Sequence, residues 1–262
     1  MKNLENLKVV LTGGSQGIGK ETLLAFLEAG ASVVFTARRE SVAQQVLEDY
    51  QSYVKKGKLH FCKADVADKE QVQQLVAFVE NTMGGCTTLV NNAGVFVGGL
   101  LHESKEEDFD FIYNINVKGV YNMCKYFLPQ MIAQKSGAII NIASVAGKGG
   151  EYNMPLYSSS KAAVINLTQS MAIDYAPMGI RINCISPSAT ATPMFLNGTT
   201  PDVMQRFLDA FPPHRLGTPQ EVAKVILFLA SEESSFVYGQ NIAVDGGLSS
   251  WVGEPKQDKE NS

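Results

Sequence analysis

Tyr157 and Lys161 stand at i and i+4 in Tyr157-Ser158-Ser159-Ser160-Lys161, a stretch whose flanks read as helix. At that spacing a phenol and an amine share one helix face. A phenol titrates near about 10 and a lysine near about 10.4, so the pair moves protons at neutral pH only if burial or a neighbouring charge shifts it. Ser144 falls upstream, at the end of a strand, where its hydroxyl can polarise a carbonyl held beside Tyr157. An ordinary amphipathic helix can also contain Tyr-x-x-x-Lys, so the meaning of the spacing rests on the rest of the chain.

A second set of residues suits a nucleotide. Thr12-Gly13-Gly14-Ser15-Gln16-Gly17-Ile18-Gly19 lies between the apolar run Lys8–Thr12 and a helical pattern carrying Leu23, Leu24, Phe26 and Leu27. In a strand–loop–helix setting, glycines let the chain turn and let a pyrophosphate approach the helix N-terminus, whose free N–H groups and dipole favour an anion. The next strand, Ala31–Thr36, ends in Ala37-Arg38-Arg39. An NAD(H) site usually places a carboxylate there, on the ribose 2'-hydroxyl, whereas guanidiniums pair with a 2'-phosphate. The expectation is NADP(H) in preference to NAD(H); Glu40, just beyond both arginines, is the one feature that opposes it.

Positioning these groups requires a regular scaffold, and the chain alternates strand and helix throughout. Further strands are expected at Leu59–Lys63, Thr88–Asn91, Gly137–Ile142, Ile180–Ile185 and Gln240–Val244. The intervening helices carry start signals: Ser41 with Gln44, Asp68, Ser104 with Glu107, and Thr218-Pro219-Gln220-Glu221. The helix opened at Ser104 is expected to run to about Ile132, to contain Asn116 and to be perturbed by Pro129. Seven strands separated by helices, without a linker, give the α/β class: a single doubly wound seven-stranded parallel sheet of Rossmann type. One dinucleotide-binding and catalytic domain is expected over 1–253, with a substrate lid at about 187–215 and a polar, disordered tail at 254–262.

Composition narrows the partners. A formal charge of -4 argues against nucleic acid or an anionic membrane, both of which select basic faces. No run approaches the roughly 20 apolar residues of a membrane helix, and the N-terminus lacks the apolar core of a signal peptide, so a soluble, cytoplasmic protein is expected. Cys62, Cys86, Cys124 and Cys184 are scattered and the three histidines lack partners at ligand spacing, so neither a metal site nor a disulfide framework is expected.

Taken in order, these motifs resemble those of the classical short-chain dehydrogenases/reductases over roughly residues 5 to 250. The matching residues are the glycine loop, Asp65-Val66, Asn91-Asn92-Ala93-Gly94, Asn116-Val117-Lys118-Gly119, Ser144, Tyr157 with Lys161, Pro187 through Thr192, and Asp245-Gly246-Gly247. The resemblance implies that Ser144 steadies the substrate oxygen and that Tyr157 exchanges a proton with it. Lys161 would hold the nicotinamide ribose and, with the positive nicotinamide ring, depress the phenol pKa. Asn116 would hold a water linking Lys161 to solvent. Cofactor contacts are implied for Gly13, Ser15, Gln16, Gly17, Ile18, Gly19, Arg38, Arg39, Asp65, Val66, Asn92, Ala93, Gly94, Tyr157, Lys161, Pro187 and Thr192. Ser188 departs from the pattern, since glycine is usual there, which questions the path of that loop.

A substrate wall is expected from Val95–Gly98, Ser144–Met154, and Met194, Phe195, Leu196, Met204, Phe207, Leu208 and Phe211. Phe207, Leu208 and Phe211 read equally well as the packing face of a small helix. Lys148, His214 and Arg215 are the only cations near enough to meet an anionic substrate. The wall suits an apolar ketone or aldehyde, reduced reversibly, as a small-molecule carbonyl/alcohol substrate. A 3-oxoacyl thioester is the alternative substrate, and a non-catalytic dinucleotide-binding regulator the alternative of another class. The resemblance also implies a homodimer or homotetramer, with Leu248, Trp251 and Val252 as a candidate contact.

Overall fold

The central apolar runs become strands because each is covered on both faces, whereas the two edge strands are only partly buried. The computed structural model describes residues 4–250 and 252; Trp251 and the tail 254–262 lie outside the described residues. The first half of the sheet is β1 (Lys8–Thr12), β2 (Ser32–Ala37), β3 (Leu59–Lys63) and β4 (Thr88–Asn91). The second half is β5 (Gly137–Ile142), β6 (Ile180–Pro187) and β7 (Asn241–Val244). The spatial order is β3-β2-β1-β4-β5-β6-β7, and every adjacent pair is parallel. The order reverses direction between β1 and β4, which opens a crevice at the carboxyl ends of the strands.

Successive strand residues serve opposite faces, as the two-residue period demands. Val10, Leu89, Ile139 and Ile182 join one buried cluster, while Val9, Leu11, Val90 and Ile140 join the other. Helices α1 (Gly17–Glu28), α2 (Glu40–Asp49) and the short α3 (Gln51–Lys55) follow the first two strands. On the opposite face lie α4 (Lys69–Met83), α5 (Glu106–Tyr113), α6 (Gly119–Gln134) and α7 (Pro155–Tyr175). The chain then forms α8 (Pro193–Leu196), α9 (Pro201–Ala210) and α10 (Pro219–Ala230), so segment 187–215 is partly helical. Among the described residues no helix is long and apolar enough to cross a membrane.

Two start signals hold and two shift. Asp68 accepts from the Glu70 and Gln71 amides at 2.9 and 3.1 Å, and Thr218 with Glu221 forms the expected capping box. Ser41 instead lies inside α2, which begins at Glu40 with no side-chain cap. Ser104 is bypassed too: Asp108 accepts from the Lys105 amide at 3.2 Å, and the Ser104 hydroxyl turns back to the Leu101 carbonyl at 2.7 Å. Glu106, Glu107 and Asp108 all fall in the first turn of α5, so the helix dipole is served in either register and sequence cannot choose between them.

The long helix is also irregular at a different place from the one expected. α6 passes through Pro129, whereas a π-helical turn at Asn114–Lys118 joins α5 to α6. Such a turn carries one more residue per hydrogen-bonded ring than an α-helix. Here it delivers Asn116 into the interior, where its side chain bonds both backbone groups of Val95, accepting at 2.8 Å and donating at 3.0 Å.

Candidate active site

Ser144 follows β5 by two residues, and Tyr157 and Lys161 lie on the first turns of α7. They meet at the end of the crevice and line one cavity of about 1160 Å³. Pro155 opens α7 at a position where its missing N–H costs nothing, which fixes the start of the helix and hence the face that carries Tyr157. Lys161 is buried; its Nζ donates to the Ile142 carbonyl at 2.8 Å and lies 5.7 Å from the centre of the Tyr157 ring. Asn116 Nδ2 also donates to Ser160 Oγ at 3.1 Å, tying the π-turn to α7 between the two reactive positions. A side chain at Gly94 would sit 3.4 Å from both Asn116 Oδ1 and Lys161 Nζ, so glycine keeps that space open.

Burial dominates the electrostatics of the reacting pair. Burial pushes the Tyr157 phenol up to about 12, against a hydrogen bond from Ser144 that lowers it, and the Glu151 charge adds to the rise. Burial pushes the Lys161 ammonium down to about 8. The Lys161 ammonium donates to the Ile142 carbonyl, and its own desolvation disfavours the charged form. At neutral pH Tyr157 is a protonated donor and Lys161 is still a cation.

The nucleotide end is built from backbone. Gly13 and Gly17 have φ of 67° and 55°, the left-handed region open to glycine. A Cβ on Gly19 would run into the Gly13 carbonyl oxygen and lie 2.6 Å from Asn92 Nδ2. Asn92 braces the turn, its Nδ2 donating to the carbonyls of Thr12 and Gly13, both at 3.0 Å. The amides of Asn92 and Ala93 converge on Thr12 Oγ1 at 3.0 and 2.9 Å. At the start of α1 no side chain caps the helix and no acidic residue occupies the first turn, so its amides remain free for an anion.

The other residues implied for the cofactor surround this turn. Ser15, Gln16, Ile18, Arg38, Arg39, Asp65, Val66, Ala93, Pro187 and Thr192 line the same cavity, while Gly19 does not and acts through packing. The Arg38 guanidinium lies over the Phe111 ring, 5.9 Å from its centre. Glu40 is absent from the lining and sits 3.8 Å from Lys63, which removes the feature that opposed a phosphate. An uncapped helix start, a glycine turn and two guanidiniums beyond β2 fit a phosphorylated dinucleotide. Ser188 is not among the residues with positive φ, so serine is accommodated where glycine is usual.

The substrate end corrects several expectations. Val95, Phe96, Met154, Met194, Phe195 and Phe207 do line the cavity, but Leu196, Met204, Leu208 and Phe211 do not. Phe211 is buried, packed near Gly246, so of the two readings of this segment Phe207 serves the cleft and Phe211 the core. Val97 and Gly98 face a smaller, separate depression of about 60 Å³. Glu151 lines the cleft within the expected Ser144–Met154 wall, whereas Ile115 and Val203 line it and were missed; Ile115 had a signal in adjoining Asn116, and Val203 had none beyond its place in an amphipathic helix.

Comparison with known proteins agrees with this geometry. A family model described as enoyl-(acyl carrier protein) reductase matches residues 13–249. The chain is 39% identical over 245 residues to the 3-oxoacyl-[acyl-carrier-protein] reductase FabG of Thermotoga maritima, covering 94% of this chain and 98% of that one. It is 36% identical over 252 residues to the meso-2,3-butanediol dehydrogenase of Serratia marcescens, covering 96% and 98%. Among solved structures, that of ElxO with NADP bound superposes with a TM-score of 0.87 at 36% identity, covering 93% and 98%.

Proposed function

The chain belongs to the short-chain dehydrogenase/reductase family, and from that premise we propose that Ser144, Tyr157, Lys161 and Asn116 are its reacting and supporting residues. It is an NADP(H)-dependent oxidoreductase that moves hydride between the nicotinamide and a carbonyl or secondary alcohol. Bound NADPH supplies the hydride. The chain supplies everything that happens at oxygen. Ser144 and Tyr157 present two hydroxyls side by side, so the carbonyl oxygen accepts from both, and Tyr157 gives up its proton as the carbon is reduced. The glycine turn, the α1 amides, Arg38 and Arg39 bind the phosphates. Asp65 and Val66 meet the adenine, and Thr192 and Pro187 border the nicotinamide side.

Lys161, still charged at neutral pH, holds the ribose and favours the phenolate left behind on Tyr157. The convergence of Ser144, Tyr157 and Lys161 on the one cleft that the glycine turn also lines is the observation that carries this reading. Removing the hydroxyl in Tyr157→Phe is expected to lower kcat for ketone reduction by about a hundredfold or more, the usual weight of a general acid. NADPH binding, followed by its fluorescence, should persist. Full turnover by Tyr157→Phe would sink the assignment.

The apolar lining favours a diffusible apolar ketone or aldehyde as substrate. The Thermotoga relative supports a second reading, reduction of a 3-oxoacyl thioester. Assaying simple ketones against carrier-bound 3-oxoacyl groups separates the two, since turnover of the latter alone would select the thioester. Segment 187–215 acts as the substrate lid of a single domain. The protein works in the cytoplasm as a homodimer or homotetramer; exposed Phe109, Tyr121 and Ile173, on α5, α6 and α7, support that assembly.

A further inference from the structure

The two guanidiniums beyond β2 are held differently. Arg38 rests on the Phe111 ring, its Cζ 5.9 Å from the ring centre, and it lines the cleft while Phe111 does not. The ring belongs to α5, which also carries Glu106, Glu107, Asp108 and Asp110. Even so, among the described residues no ion pair or side-chain hydrogen bond engages Arg38. Arg39 lines the cleft too, and among the described residues its side chain has no ion pair, hydrogen bond or ring contact.

A guanidinium can be steadied in two ways. A carboxylate takes up its N–H groups and offsets its charge, whereas an aromatic face attracts the cation and leaves the N–H edge free. Arg38 has the second kind of support, so all its donors stay available to phosphate oxygens. The helix places the ring for this. Phe111 is 40% exposed and lies one helical turn before Ile115, which lines the cleft. Phe109 and Tyr113, on either side of it, stack on each other at 4.3 Å, and Tyr113 donates to Ser159 of α7 at 2.9 Å, so those rings serve another face.

We propose that Phe111 is a positioning residue for the cofactor: it holds the Arg38 guanidinium ready for the 2'-phosphate and so sets how strongly NADP(H) is preferred over NAD(H). The inference rests on the assignment of the arginines to that phosphate. Arg38, held before the nucleotide arrives, loses little side-chain freedom on binding, whereas Arg39 must be ordered at that moment. Arg38 therefore carries the larger share of the phosphate interaction. Phe111 does not reach the cleft itself, so its effect is confined to nucleotides that bear the 2'-phosphate.

The test is a fluorescence titration of the full-length protein with NADPH and with NADH. Phe111→Leu keeps an apolar side chain but removes the ring. It is expected to raise the NADPH Kd about threefold to fivefold, the weight of a cation–π contact at an exposed site, and to leave the NADH Kd unchanged. Phe111→Tyr keeps the ring and should bind both nucleotides as the wild type does. In an Arg38→Ala background, where NADPH binding is already about tenfold weaker, Phe111→Leu should add nothing, because the contact it removes is gone. Arg39→Ala should weaken NADPH binding less than Arg38→Ala does. An unchanged NADPH Kd in Phe111→Leu, an equal loss for NADH, the same loss in Phe111→Tyr, losses that add in the double variant, or a larger loss in Arg39→Ala overturns the proposal while the arginines keep their place at the phosphate. Normal NADPH binding by both Arg38→Ala and Arg39→Ala removes that assignment, and the inference with it.

Discussion

At the nucleotide end of the cleft the decisive contacts are made by backbone: the positive φ of Gly13 and Gly17, the close approach at Gly19, the uncapped amides of α1 and the Thr12–Asn92 brace. At the substrate end they are made by side chains on segments far apart in sequence, among them Phe96, Glu151, Met194 and Phe207. The first arrangement leaves little freedom, because any Cβ in the wrong place collides with main chain that cannot move aside. The second tolerates exchange, because one apolar side chain can be traded for another without moving a strand. One end is thus suited to a single invariant ligand and the other to whichever substrate the chain has come to use.

The contrast can be broken most sharply at Gly19. In Gly19→Ala the methyl group meets the Gly13 carbonyl and Asn92 at once, and overpacking of this kind costs about 1–3 kcal/mol. NADPH affinity, measured by titration of cofactor fluorescence, is expected to fall about a hundredfold; a normal Kd would show that the turn is not rigid. Charge comes next. Arg38→Ala with Arg39→Ala removes the groups expected at the 2'-phosphate, so NADPH binding should weaken about tenfold or more, each charged hydrogen bond being worth about 1.5–3 kcal/mol. NADH binding should barely change, and an equal loss for both nucleotides would count against the assignment.

The smallest effect is expected across the cleft. Phe207→Ala, at a half-buried wall position, should raise KM for an apolar ketone about threefold to tenfold while leaving kcat and NADPH affinity near the wild-type values. A collapse of kcat would mean that this wall is as rigid as the glycine turn, and the contrast would disappear.

Much of the scaffold was legible because its signals are local. Continuous apolar runs marked β1, β4 and β5 to the residue, since a strand covered on both faces has no polar side to show, and the partly exposed edge strand β3 was placed as well. Asp68 and Thr218 announced their helices for the same reason, since a cap is a contact within one turn. Ser41 and Ser104 gave equally good local signals that failed, because neighbouring acidic residues made two registers nearly equal and packing decided. The π-turn at Asn114–Lys118 had no signature at all, because it is held by Val95 and Ser160, residues remote in sequence. Pro129, the obvious breaker, does not interrupt α6.

By itself the amino-acid sequence determined the order of strands and helices, the glycine turn, the arginines after β2 and the presence of a phenol, an amine and a serine at useful spacing, because each depends on residues close together along the chain. Only the tertiary structure decided which charges remain unpaired and what the reactive groups feel. Burial raises Tyr157 and lowers Lys161, and Glu221 takes Arg215 out of play while Glu151 stays unpartnered in the cleft. Desolvation and ion pairing are sums over neighbours brought together by folding, and no spacing along the chain encodes them.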